Sequence, residues 1–143
     1  METTRLNEDL YVRCATVTTF PQGISEAFDK LMVDFPPASN RNYYGISWMD
    51  EQFKIVYKVA ANITEPAEAQ KPGYEEYVIP KGRYLSEKIE NWMQQLPKIS
   101  ETFGKMMEAP DFDKNAACVE WYIDDDQMIC MAKLTDVIPA AAQ

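Results

Sequence analysis

Hydrophobic and polar positions alternate with period two over several short stretches of this chain and recur with a period near 3.6 over others, which predicts an α+β fold. Residues 11–20, Tyr11 to Phe20, read as a first strand, punctuated by Pro21 and Gly23. Ile24, Ala27, Phe28 and Leu31 recur at helical spacing, with Val33 and Phe35 following, so a helix is predicted over about 22–35, stopped by Pro36-Pro37. Tyr43 to Met49 form a second strand. Phe53, Ile55, Tyr57 and Val59 alternate with Lys54 and Lys58 in a third strand over 53–62, and the tight polar turn at Asp50-Glu51 makes the two a hairpin.

The same order then repeats. Residues 63–73, with Pro66 and Pro72, read as a connector. Tyr74 to Ile79 read as a short strand that resumes at Arg83-Tyr84-Leu85 after Pro80-Lys81-Gly82. Leu85, Ile89, Trp92, Met93 and Leu96 fall on one helical face over about 86–96; Pro97 interrupts, and Ile99, Phe103, Met106 and Met107 continue the pattern. After a loop over 110–115 come a strand at 117–123, a hairpin turn at Asp124-Asp125-Asp126, a returning strand from Gln127 to Leu134, and a frayed tail from Thr135 to Gln143. Strand–helix–strand–strand thus occurs twice, over residues 10–62 and 74–134. Two such units form one domain with a single antiparallel sheet, both helices on one face, and a ligand cleft on the other where the halves meet.

The stretch Ala117-Cys118-Val119-Glu120-Trp121-Tyr122-Ile123 is otherwise a buried-strand sequence, so its central acid asks for a reason: an unpaired carboxylate there costs several kcal/mol. Alternation puts Cys118, Glu120 and Tyr122 on one face and Val119, Trp121 and Ile123 on the other. The apolar trio reads as the packed side, and the Glu120–Tyr122 face as a pocket lining. Glu120 there would neutralise a cationic ligand, and partial desolvation suits a carboxylate to proton transfer. Tyr122 adds a flat apolar surface and one hydroxyl. Tyr44, Trp48, Tyr57 and Tyr84 are either further aromatic walls or core residues. Trp92, on the apolar face of its helix, and Met131, on the returning strand, divide between the same two roles.

Composition narrows the chemistry. A chain of 143 residues is long enough for one domain with a real core. Its net charge of −9 excludes free nucleic acid as a direct partner and favours cationic over anionic ligands. No apolar run reaches a membrane span's length, and the first ten residues lack a signal-peptide core, so a cytoplasmic location is the default. Three spaced cysteines, Cys14, Cys118 and Cys130, point to neither a disulfide framework nor a zinc site. The absence of histidine rules out Ser-His-Asp and Cys-His nucleophile systems and His-ligated metals, leaving Glu, Asp, Tyr, Lys or Cys for any acid–base work. Asp124-Asp125-Asp126 has no EF-hand spacing and reads as a solvated turn. No cofactor and no metal are expected.

Tyr43-Tyr44-Gly45-Ile46-Ser47, Ile79-Pro80-Lys81-Gly82-Arg83-Tyr84-Leu85 and Cys118-Val119-Glu120-Trp121-Tyr122, in that order and spacing, resemble the GyrI-like small-molecule-binding domain, the effector-binding domain of multidrug-responsive bacterial regulators. The resemblance covers residues 10–134, and the last segment resembles the family's Glu-x-Tyr strand, whose acid lies at the pocket floor. It implies a stand-alone member without a helix-turn-helix. Its implied function is to take up aromatic, amphipathic or cationic small molecules between the two repeats, with Glu120 as the pocket acid. One alternative is a hydrolase that opens cyclopropane-bearing alkylating toxins by water attack, with Glu120 and Tyr122 as the catalytic groups. A second is a gyrase-inhibitor-like protein interaction.

Overall fold

The computed structural model describes residues 1–135, and the expected fraying of the tail falls outside them from residue 136 on. Among the described residues the chain runs β1 (Glu2–Leu6), β2 (Leu10–Thr16), α1 (Ile24–Asp34), β3 (Tyr43–Met49), β4 (Ile55–Asn62), β5 (Glu75–Ile79), β6 (Gly82–Glu90), α2 (Leu96–Met106), β7 (Cys118–Tyr122) and β8 (Gln127–Lys133). The fold is α+β with antiparallel strand pairing. It divides into a first unit, Asp9–Ile79, and a second unit, Met1–Glu8 with the chain from Pro80 onward. No helix among the described residues is long and apolar enough to cross a membrane.

In the first unit the strands lie in the order β5-β2-β4-β3. The β3–β4 register pairs Tyr43 with Ala61, Gly45 with Val59 and Ser47 with Tyr57, and these pairs face α1. The i, i+3, i+4, i+7 residues of α1, Ile24, Ala27, Phe28 and Leu31, pack there with Val17, Phe35, Tyr43, Tyr57, Val59, Ala61 and Tyr74. Gly23 opens the helix at φ 85°, and a Cβ there would lie 2.3 Å from Thr19 Oγ1. Arg41, its side chain 3% exposed, donates to the Pro36 and Asn62 carbonyls and forks onto both carboxylate oxygens of Glu68, which ties the segment before β3 to the β4–β5 connector. That pairing, with the Thr64 amide at 3.0 Å, holds the Glu68 carboxyl down at about 2.

In the second unit the order is β1-β6-β8-β7. Phe103 and Met106 of α2 pack on Ile89, Cys118, Met128, Cys130 and Ala132, with Leu85, Trp92, Ile99, Phe112 and Tyr122 at the margin. β1 was invisible in the pattern because its sequence, Glu-Thr-Thr-Arg-Leu, is polar and exposed. It is held by pairing with β6 over Glu2↔Ser86 to Leu6↔Gly82 and by a 2.6 Å bond between the Thr4 and Ser86 hydroxyls.

Three expectations need correction. The helix predicted over 86–96 is the strand β6 as far as Glu90, followed by a 3-10 turn at Trp92–Gln94. Leu85 and Ile89 are four residues apart, and an even spacing satisfies a strand as well as a helix. Pro97 does not interrupt a helix but starts one, in the first turn of α2, where its missing N–H costs nothing. Residues 74–79 do not lead the second repeat: β5 pairs with β2 in the first unit, Leu10↔Ile79 to Cys14↔Glu75. The leading strand of the second strand–helix–strand–strand is β6.

Candidate functional site

The β7–β8 hairpin is set by its turn. Asp124 Oδ1 accepts from the Asp126 and Gln127 amides at 2.8 and 2.6 Å, and the Ile123 amide donates to the Gln127 carbonyl at 3.0 Å. The register that follows puts Cys118 opposite Ala132, Glu120 opposite Cys130 and Tyr122 opposite Met128. These pairs occupy the face that carries α2. The reading of Val119, Trp121 and Ile123 as the packed side is therefore reversed: Val119 is buried, but Ile123 is 41% exposed, and the α2 core lies on Glu120's side. The apolar count misled because two cysteines and a tyrosine pack as hydrophobes here.

Glu120 is half-buried in the middle of its strand. Tyr122, two residues on and on the same face, donates its hydroxyl to Glu120 Oε1 at 2.6 Å. The Trp92 ring lies against Tyr122, 5.0 Å between centroids and tilted by 59°. Trp92 is itself pinned to the hairpin turn: its indole N–H donates to the Asp124 carbonyl at 3.1 Å and its amide to the Asp126 carbonyl at 3.3 Å. Carboxylate, phenol and indole thus form one corner between β7 and the 3-10 turn that precedes α2. The phenol proton is directed at the carboxylate, so the corner is rich in acceptor oxygens and aromatic faces, a chemistry that suits cations.

Thiols beneath the corner register its charge. Burial, with Glu120 as the next cause, pushes Cys118 up to about 11; burial, then Glu120 and Glu87, pushes Cys130 up to about 12. Both stay protonated near neutral pH and act as packing residues, like the buried Cys14. Glu87 sits across Cys130 from Glu120 in the ladder and accepts from Thr102 of α2 at 3.4 Å. Sequence reasoning did not connect Cys130 and Met128 with Glu120. The signal was available in the Asp124–Asp126 turn, whose centre fixes which residues of the hairpin face each other. Among the described residues, no cluster of three or more His, Cys, Asp or Glu side chains could hold a metal ion.

The other candidates are placed as follows. In the second unit Tyr84 and Met131 lie on the face opposite α2 and are buried; Tyr84 donates to the Pro80 carbonyl at 2.5 Å and has the Lys133 ammonium 5.9 Å from its ring centroid. In the first unit Tyr57 lies in the α1 core, stacked on Phe20 at 5.1 Å. Tyr44 and Trp48 lie on the face opposite α1. Tyr44 is buried, which pushes its hydroxyl up to about 12, and Trp48 is half-buried.

No protein-family model matches the chain, and no curated protein matches it. Solved structures do. An integron cassette protein from the mobile metagenome of Vibrio cholerae is similar at a TM-score of 0.71 and 11% identity over 94% of this chain and 95% of its own. SAV2435, in a structure bound to tetraphenylphosphonium, is similar at 0.63 and 12% identity over 94% and 93%. A hydrolase from Listeria innocua is similar at 0.55 and 10% identity over 94% and 90%. At these identities the likeness is one of fold: a fold that, in the SAV2435 structure, is bound to a small hydrophobic cation.

Proposed function

We propose that this chain is a GyrI-like small-molecule-binding domain that takes up hydrophobic or aromatic cations, with Glu120 supplying the negative charge. The observation that carries this reading is the Glu120–Tyr122–Trp92 corner: a half-buried strand carboxylate bonded to a phenol at 2.6 Å, with an indole 5.0 Å from that phenol. The likeness to a tetraphenylphosphonium-bound structure supports the same chemistry. Aromatic faces attract a diffuse cation, and a partly desolvated carboxylate opposes its charge in a lower dielectric than water. Selectivity is broad, because stacking and charge need no exact donor pattern.

Titration with tetraphenylphosphonium, followed by calorimetry, tests the reading. Saturable binding with a dissociation constant of about 1–100 μM is expected. Glu120→Gln removes the charge at nearly constant volume and weakens binding by about tenfold to a hundredfold. No saturation by roughly 1 mM, or equal affinity in the variant, overturns the reading.

The likeness to a protein described as a hydrolase favours a second reading, in which Glu120 takes a proton from water as the water oxygen bonds to a cyclopropane carbon. The ring C–C bond breaks, its electron pair passes onto the substrate's conjugated carbonyl, and the proton held by Glu120 is returned there, for a net addition of one water. Mass spectrometry of a cyclopropane-bearing alkylator incubated with the protein distinguishes the two. A one-water adduct that forms with the native chain and not with Glu120→Gln indicates turnover; unchanged compound indicates binding alone.

A further inference from the structure

On the first unit, the face opposite α1 carries an arrangement that the Glu120 corner does not explain. Trp48 on β3 and Tyr77 on β5 are separated by β4 and β2 and, through the register, by the β4 positions Val56 and Asn62 along the strands, so in a flat sheet their backbones would lie more than roughly 20 Å apart. Their rings nevertheless lie 6.3 Å apart and within 9° of parallel. Both side chains lean inward over a floor of small residues, Cys14 and Ala60, directly paired in the β2–β4 ladder and both buried. Lys58, from the same face of β4, brings its ammonium to 5.7 Å from the Trp48 ring centroid and 2.9 Å from Glu75 of β5.

The exposures of this ion pair are unequal. The Lys58 side chain is 12% exposed, and that of Glu75 is 65% exposed. A nearly buried ammonium needs an anion beside it. An exposed glutamate that supplies one is held weakly, because its other state is full hydration. Glu75 can leave for water at little cost, whereas Lys58 cannot. Whatever replaces Glu75 must bring one negative charge, and if it also brings a flat apolar body, that body meets two half-exposed aromatic rings.

We propose that Trp48, Tyr77 and Lys58 form a second binding site, for planar aromatic carboxylates: the ligand's ring stacks on Trp48 and Tyr77, and its carboxylate displaces Glu75 from Lys58. Glu75 acts as an internal competitor that satisfies Lys58 when no ligand is bound. Charge preference here is opposite to that of the Glu120 corner.

The probe is 2-naphthoate, with 2-naphthylmethanol as the uncharged control, titrated at constant ionic strength by calorimetry and by quenching of tryptophan emission. Saturable binding of 2-naphthoate, and none of the alcohol at the same concentrations, is expected. Glu75→Gln removes the competitor and tightens 2-naphthoate binding by about twofold to fivefold, the range of an exposed ion pair. Lys58→Met weakens it by about tenfold or more, as loss of a charge-assisted bond does. Lys54→Gln, at an exposed lysine of the same hairpin, leaves it unchanged. The proposal is overturned if neither the native chain nor Glu75→Gln binds 2-naphthoate saturably, if Glu75→Gln fails to tighten binding, or if Lys54→Gln weakens binding as much as Lys58→Met. Glu75→Gln alters only an exposed side chain, so the test does not depend on Lys58→Met folding.

Discussion

The helix-facing pairs of the two hairpins can be set side by side, counted from the ends remote from their turns, and at one position the difference is a charge. On the helix-bearing face of the first unit, β3 and β4 pair Tyr43 with Ala61, Gly45 with Val59 and Ser47 with Tyr57. On that of the second, β7 and β8 pair Cys118 with Ala132, Glu120 with Cys130 and Tyr122 with Met128. Counted this way the alanines correspond, Val59 corresponds to Cys130, and Gly45 takes the place of Glu120. One copy carries a carboxylate in the middle of the row; the other has a glycine there, and Phe35, Tyr57 and Tyr74 pack with α1. The same scaffold thus supports a closed apolar core in one copy and a charged corner in the other. The position was not forced by the fold. The edge strands show a further parallel: β5 leads into β6 but pairs with β2, and β1 leads into β2 but pairs with β6. Each of these edge strands joins the unit other than the one it precedes in the chain.

The largest effect is expected from erasing this difference. Gly45→Glu places a carboxylate at a buried position where the residue two along is Ser47, too short to imitate Tyr122. The charge has no phenol to meet it, and a loss of about 4–5 kcal/mol is expected, enough to unfold a marginal domain. Urea denaturation measures it. Full stability in this variant would show that the first unit's face tolerates a charge, and the contrast between the copies would lose its energetic meaning.

Next comes the Arg41–Glu68 fork of the first unit, whose two side chains are 3% and 13% exposed. Glu68→Gln leaves the Arg41 guanidinium, 3% exposed, without its counter-charge and is expected to cost about 3 kcal/mol. The pH dependence has a definite sign. The fold holds the Glu68 carboxyl down at about 2 from an ordinary 4.5, chiefly through the bond from Arg41. Between those values the unfolded chain carries a proton that the folded chain has released, so this stabilisation is complete above the upper value and is lost as the pH falls toward the lower one. Asp34, lowered by its bonds from Lys30 and Tyr74, contributes with the same sign. The check is therefore a difference: the acid slope of the native chain minus that of Glu68→Gln, positive if the fork is as described and zero if it is not.

Much of this architecture was legible in the chain, and where it was not, the reason is local. β3 coincides with the predicted strand, and α1, β7 and β8 lie within a residue or two of prediction. Each has an unambiguous period and is bounded by turn residues such as Pro36-Pro37 or Asp124–Asp126. β6 was read as a strand only over Arg83-Tyr84-Leu85 and as a helix beyond, because the spacing of Leu85 and Ile89 suits either period, and β1 was missed because an exposed edge strand need not alternate. Burial of Glu120's face could not be counted from hydropathy: Cys118, Cys130 and the Tyr122 ring pack as apolar groups, while Trp121 and Ile123, more hydrophobic by letter, lie on the side away from α2. Glu120 itself stood out because a lone acid in a β-branched and aromatic run is costly. Its partner Tyr122 could be inferred from alternation alone, but the role of Trp92 depends on a tertiary contact with the hairpin turn.

The smallest effect sharpens the comparison most, because it sets two tyrosines that each make one 2.6 Å bond against each other. In the first unit Tyr43 donates to the Phe35 carbonyl within the core. In the second Tyr122 donates to Glu120 at a half-buried site. Tyr43→Phe strips a buried carbonyl of its donor and is expected to cost about 1–3 kcal/mol while leaving tetraphenylphosphonium affinity unchanged. Tyr122→Phe keeps the ring against Trp92, and water can reach the half-exposed carboxylate in place of the hydroxyl. Its cost in stability is expected at about 0.5–1 kcal/mol or less. Its effect on ligand is of the opposite character: the carboxylate loses the bond that fixes its direction, and the cation affinity shifts by about threefold to tenfold. If Tyr43→Phe moved tetraphenylphosphonium affinity and Tyr122→Phe moved only stability, the proposed assignment of the cation site to the second unit would be the wrong way round.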